Sequence, residues 1–90
     1  MTVETLIKKN IKRYLGIKGW YVFYLLQGLG AFKGIPDLIA CKNGKVLFLE
    51  VKTEKGKMSE HQKRFQWNIV QSGCRYILVR SVQDLVEMGI

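Results

Sequence analysis

The 90 residues predict a single α/β domain (1–90), a mixed sheet flanked by helices on both faces. Three observations carry this. Val3, Ile7, Ile11 and Tyr14 recur at helical spacing, with Leu6 and Leu15 widening the stripe. Asn43-Gly44, between two apolar runs, is the strongest short hairpin signal. Ser59-x-x-Gln62 is a capping box, so a helix separates the hairpin from a further strand. A crossover of that kind is right-handed and makes the strands it joins parallel.

Each element has a local cause. Thr2 caps a first helix from Val3, and Gly16 or Gly19 ends it. Trp20 to Gln27 is aromatic and β-branched, which suits a strand. Gly28 to Gly34 is a glycine-rich loop. It lacks the Gly-Lys-Ser/Thr of a phosphate loop and leads into a strand, so it reads as a flexible segment beside a cleft. Pro36–Lys42 and Lys45–Lys52 are the hairpin strands, followed by a polar loop from Thr53 to Met58. The second helix turns Phe65, Ile69 and Val70 inward and stops at Gly73. Cys74–Arg80 is the fourth strand, and Ser81-x-x-Asp84 caps a short last helix with Leu85 and Met88 inward. The order is αβββαβα.

Fifteen Lys and Arg face seven Asp and Glu, a net charge of +8 that suits a polyanionic partner. No apolar run approaches the roughly 18 residues of a membrane span, and Met1-Thr2-Val3-Glu4 is not a signal peptide, so a cytosolic protein is expected. Cys41 and Cys74 lie in apolar strand-like stretches and are expected as buried free thiols. With His61 as the one histidine, they do not compose a zinc site.

Hairpin register brings candidate catalytic residues together. A two-residue turn pairs Lys42 with Lys45, and counting back along both strands sets Asp37 opposite Glu50. Directly opposed residues have Cβ atoms about 4.5–5.5 Å apart. Alternation places Asp37, Ile39 and Cys41 on one face with Val46, Phe48, Glu50 and Lys52. Two opposed carboxylates repel unless a proton or a cation lies between them. Mg²⁺ (or Mn²⁺) accepts such a set, with Asp37, Glu50 and the Val51 backbone carbonyl as metal ligands. Lys52, on the same face, would stabilise a hydroxide nucleophile or the charge of a phosphoryl transition state. The set suits attack by water on a phosphodiester.

Gly34-Ile35-Pro36-Asp37-Leu38-Ile39, Glu50-Val51-Lys52 and Ser59-x-x-Gln62 together resemble the VRR-NUC family of PD-(D/E)xK nucleases, from Glu4 to about Val82. The resemblance implies a restriction-endonuclease-like αβββαβ core, with Asp37 and Glu50 on the metal and Lys52 as the catalytic lysine. It matches Glu4 to the family's acidic residue on the first helix and Gln62 to its glutamine after the Glu-x-Lys strand. Stand-alone members and Holliday junction resolvases of similar layout imply a homodimer that cuts branched DNA. Leu38 departs from the basic residue that many relatives carry after Pro-Asp.

The remaining basic residues are read as phosphate contacts: Lys8, Lys9 and Lys12 on the first helix, Lys33 in the glycine loop, and Lys55, Lys57, Lys63 and Arg64 after the catalytic strand. Without a helix-turn-helix or zinc motif, recognition by DNA shape is expected. Trp20, Trp67, Tyr14 and Tyr76 are expected in the core or at a dimer contact. A non-catalytic nucleic-acid-binding protein with the same fold is the alternative. The basic surface serves it equally, but opposed carboxylates bring a mere binder nothing.

Overall fold

The computed structural model covers residues 1–90 and has seven elements: α1 (Val3–Ile17), β1 (Tyr21–Tyr24), β2 (Leu38–Lys42), β3 (Lys45–Val51), α2 (Glu60–Gln71), β4 (Arg75–Val79) and α3 (Val82–Glu87). The sheet order is β1-β2-β3-β4. Both β1–β2 and β2–β3 are antiparallel, and β3–β4 is parallel. The expected order and the parallel crossover are therefore both present.

The turn sets the hairpin as expected. Asn43 and Gly44 both have positive φ, 50° and 79°, as a two-residue hairpin turn demands. Lys42 pairs with Lys45, and the ladder runs back to Leu38 opposite Leu49. The first strand is shorter than its composition suggests. Tyr24 pairs with Leu38, the first residue of β2, so β1 has nowhere to extend its ladder. One further bond, Leu25 N–H to the Asp37 carbonyl at 2.9 Å, closes that end.

One sheet face makes the core. Leu38, Ala40, Leu47, Leu49, Val51, Ile77 and Val79 pack there against Ile11 and Leu15 of α1 and Leu85 of α3. At 25 cal/mol per Å², burying each of the Leu, Ile and Val side chains here is worth about 1.5–3 kcal/mol, so this layer dominates the fold's stability. On the other face Phe65 of α2 meets Phe48 and Tyr76 at centroid distances of 6.1 and 6.3 Å. Cover there is partial: α2 contributes no buried residue, and Tyr21, Phe23 and Val46 stay exposed.

Several expectations about depth are corrected. Val3, Leu6, Val70 and Met88 are exposed, because a period assigns a side but not what covers it. Trp67 is exposed as well, which excludes the core and leaves the contact alternative for it. Cys41 and Cys74 are free as expected but not buried: Cys41 is half-buried and Cys74 exposed at the margin of β4.

Candidate active site

The site forms where β2 and β3 end. Pro36 has no N–H, so it cannot donate to the Val51 carbonyl, the partner the hairpin register would give it. Asp37 takes over the other half of that missing pair. Its Oδ2 accepts the Val51 N–H at 2.8 Å, while its own N–H donates to the Leu49 carbonyl at 3.0 Å. The Asp37 carboxylate therefore lies at the end of the sheet, in the plane of its hydrogen bonds. Two expectations are corrected here. The ladder ends at Leu38–Leu49, so Asp37 is not paired opposite Glu50 as counting back from the turn predicts. Nor does the Asp37 carboxylate stand clear on the α2 face, where alternation puts it. Its Oδ1 receives Gln27 Nε2 at 3.0 Å and Lys8 Nζ at 3.1 Å.

Glu50 is held from the α2 side. Gln62 closes the capping box through Oε1, which accepts the Ser59 N–H at 2.9 Å, and its Nε2 donates to Glu50 Oε2 at 3.2 Å. One side chain thus starts the helix and anchors the acid. Lys52 Nζ lies 3.5 Å from the same Oε2, with its side chain only 15% exposed. The other oxygen, Oε1, is buried and has no hydrogen-bond partner. Burial and then the neighbouring Asp37 charge push the Glu50 carboxyl from 4.5 up to about 7, against the pull of Lys52. Beneath α2 the Tyr76 hydroxyl is also buried without a partner. Its burial, then the charges of Glu50 and Asp37, raise its pKa.

This donor set fits a hard divalent ion. It offers two carboxylates, one with an uncommitted buried oxygen, and a peptide carbonyl that Pro36 leaves without its ladder donor. Mg²⁺ typically takes one or two carboxylates and fills the remaining positions with water and substrate oxygens. No group of three His, Cys, Asp or Glu side chains gathers here or elsewhere, so Glu4 does not join Asp37 and Glu50 in a carboxylate cluster. Glu4 sits half-buried on α1, one turn before Lys8. His61 is exposed.

Beside the site the glycine loop meets the start of α2. A cavity of about 340 Å³ lies between them, with Gln27, Lys33 and Gln62 among its lining residues. Lys9, Lys33, Lys55, Lys57, Lys63 and Arg64 are exposed, and Lys63 pairs with Glu60 at 3.5 Å. Lys12 stands over the Tyr24 ring at 5.5 Å.

The VRR-NUC domain family matches residues 16–83, most of the chain and all of the Asp37, Glu50, Lys52 and Gln62 constellation. The chain belongs to the VRR-NUC family. A solved VRR-NUC domain is similar over almost its entire length, with a TM-score of 0.84, 28% identity, and coverage of 98% of this chain and 95% of that one. No curated protein matches. VRR-NUC is a nuclease-domain family, so the acidic end of the hairpin lies in a nuclease fold. Of three groups that hold this VRR-NUC site together, sequence reasoning missed Gln27 and Arg80 and read Lys8 only as a phosphate contact, not as the partner of Asp37. Arg80 Nη1 lies 2.6, 3.1 and 2.8 Å from the carbonyls of Thr53, Glu54 and Gly56, clasping the loop that follows Lys52. Of the three, only Lys8 left a local signal, its place next to Ile7 on the margin of the apolar stripe.

Proposed function

We propose that the protein is a metal-dependent DNA endonuclease that hydrolyses phosphodiester bonds, with branched DNA such as four-way junctions as its substrate. The observation that carries this reading is the partnerless, buried Glu50 Oε1 beside Asp37, with Lys52 two residues on. Asp37, Glu50 and the Val51 carbonyl would hold Mg²⁺ or Mn²⁺. When bound, such an ion supplies Lewis acidity and a water of lowered pKa.

The chain's own residues do the rest. Gln62 fixes Glu50 through Oε2 and leaves Oε1 uncommitted. Lys52 holds a positive charge beside Glu50, where it offsets charge developing on the attacked phosphate. Lys9, Lys12, Lys33, Lys55, Lys57, Lys63 and Arg64 contact backbone phosphates, which makes binding steeply salt-dependent. A homodimer would present two equal sites for two cuts. The uncovered aromatics support that reading: Tyr21 and Phe23 lie on the edge strand β1, and Trp67 on α2 is also exposed. No helix is long and apolar enough to cross a membrane.

The test is cleavage of a panel of linear, flapped and four-way DNA. Nicking is expected with Mg²⁺ and not with EDTA, and Asp37→Ala abolishes it while DNA binding persists. Lys52→Met slows it about a hundredfold or more, the scale of losing one electrostatic partner of a transition state. Cleavage by Asp37→Ala at the wild-type rate would remove the assignment.

A further inference from the structure

We propose that Lys8 belongs to the active centre, as a stand-in cation on Asp37 in the metal-free protein and a ligand for the substrate phosphate once a metal has taken Asp37. The inference rests on the two-carboxylate metal site proposed above. Lys8 is one of three lysines on the first helix that composition alone turns toward solvent, but the fold treats it differently from its neighbour. Lys9 is exposed, whereas Lys8 Nζ sits 3.1 Å from Asp37 Oδ1, with the two side chains 27% and 6% exposed.

Charge at the site is balanced by this arrangement. Two carboxylates, Asp37 and Glu50, meet two ammonium groups, Lys8 and Lys52, one on each acid. The two lysines are not equivalent. Lys52 approaches Glu50 at Oε2 and leaves Oε1 without a partner, so a metal can reach that acid without displacing it. On Asp37 neither oxygen is idle: Oδ2 accepts the Val51 N–H, and Oδ1 takes both Gln27 and Lys8. A divalent ion binding Asp37 must therefore share it with a like charge or expel that charge. Gln27 is neutral and opposes the ion far less. Lys8 is the group in conflict, and its flexible four-carbon stem lets the ammonium move while its backbone stays in α1. An ammonium carries three donors and no acceptor, so it moves toward an anion. The anion that arrives with the reaction is the phosphodiester.

A merely structural ion pair predicts the opposite sign. Removing its lysine would loosen Asp37 and weaken metal binding. Competition predicts that removing the lysine tightens it. Mn²⁺ titration of the full chain, followed by calorimetry, separates the two. Lys8→Met is expected to bind Mn²⁺ about 3- to 10-fold more tightly than wild type, because one close like charge is gone. Lys8→Gln keeps a donor for Asp37 without the charge and gives the same readout should the methionine variant not fold. Lys8→Arg returns the affinity toward wild type. Lys9→Met removes the same formal charge one residue away and changes Mn²⁺ affinity by less than about twofold, since its field is screened. At saturating Mn²⁺, single-turnover cleavage by Lys8→Met is slower than wild type despite the tighter metal. Equal or weaker Mn²⁺ binding by both neutral Lys8 variants, an equal gain in Lys9→Met, or unimpaired cleavage by Lys8→Met would overturn the proposal. Failure of wild type itself to bind Mn²⁺ would overturn the metal reading on which the proposal rests.

Discussion

Burying Glu50 beside Asp37 costs the metal-free protein stability, and the cost depends on pH. The unfolded chain releases the Glu50 proton near 4.5, while the folded chain keeps it until about 7. Across that window the folded state binds more protons, so this group's contribution is fully present below 4.5 and is lost as pH rises through about 7. Urea denaturation of metal-free protein should show this as a loss on the order of 2–3 kcal/mol that Glu50→Gln does not share. Mn²⁺ should restore wild type at the upper end and leave Glu50→Gln nearly unchanged. Identical pH profiles for the two proteins would contradict the electrostatic picture. At this scale the meeting of Asp37, Glu50 and Lys52 at one end of the hairpin was legible from the turn. The pairing itself was not, because the ladder stops at Leu38–Leu49 and Asp37 bonds the Leu49 carbonyl and the Val51 N–H instead of standing opposite Glu50. The contacts of Lys8, Gln27 and Arg80 were not legible either, since each reaches the site from an element 10 or more residues away. No local pattern encodes such a meeting.

The elements position the site through two close joints. The first is the start of α2, where Ser59 and Gln62 exchange backbone contacts and Gln62 also grips Glu50. The second is Gly34, which passes directly beneath that helix. It holds φ at +84°, and a Cβ there would collide with the His61 carbonyl. Gly34→Ala should therefore cost about 1–3 kcal/mol for the backbone conformation alone, with more from the clash, and should slow cleavage because Gln62 follows His61. Denaturant midpoints and cleavage rates check this together; an alanine variant as stable and active as wild type would show that the loop does not need its approach to α2. Helix starts and the hairpin were readable because capping and turn chemistry are local. The end of β1 was not, because a strand stops where its partner stops, and β2 begins only at Leu38. The same limit explains Val70 and Met88, which sit on apolar helical faces that no other element covers.

For the whole molecule, the sheet divides labour between its faces. The core face carries stability through α1 and α3, whereas the site lies at the end of the sheet and is reached from both sides, by Lys8 of α1 at Asp37 and by Gln62 of α2 at Glu50. The two acids and two lysines of the site balance, so the net charge of +8 is carried by the rest of the chain. The mixed topology and the crossover were legible from element order, whereas the incomplete cover of the second face required the packed structure. The central claim is that Asp37 and Glu50 share one cation. A crystal soaked in Mn²⁺ and measured for anomalous scattering tests it most directly. The expected map has a peak touching Asp37, Glu50 and the Val51 carbonyl, with Lys8 drawn off Asp37. A map with no peak there, or with Mn²⁺ bound only elsewhere, would contradict it.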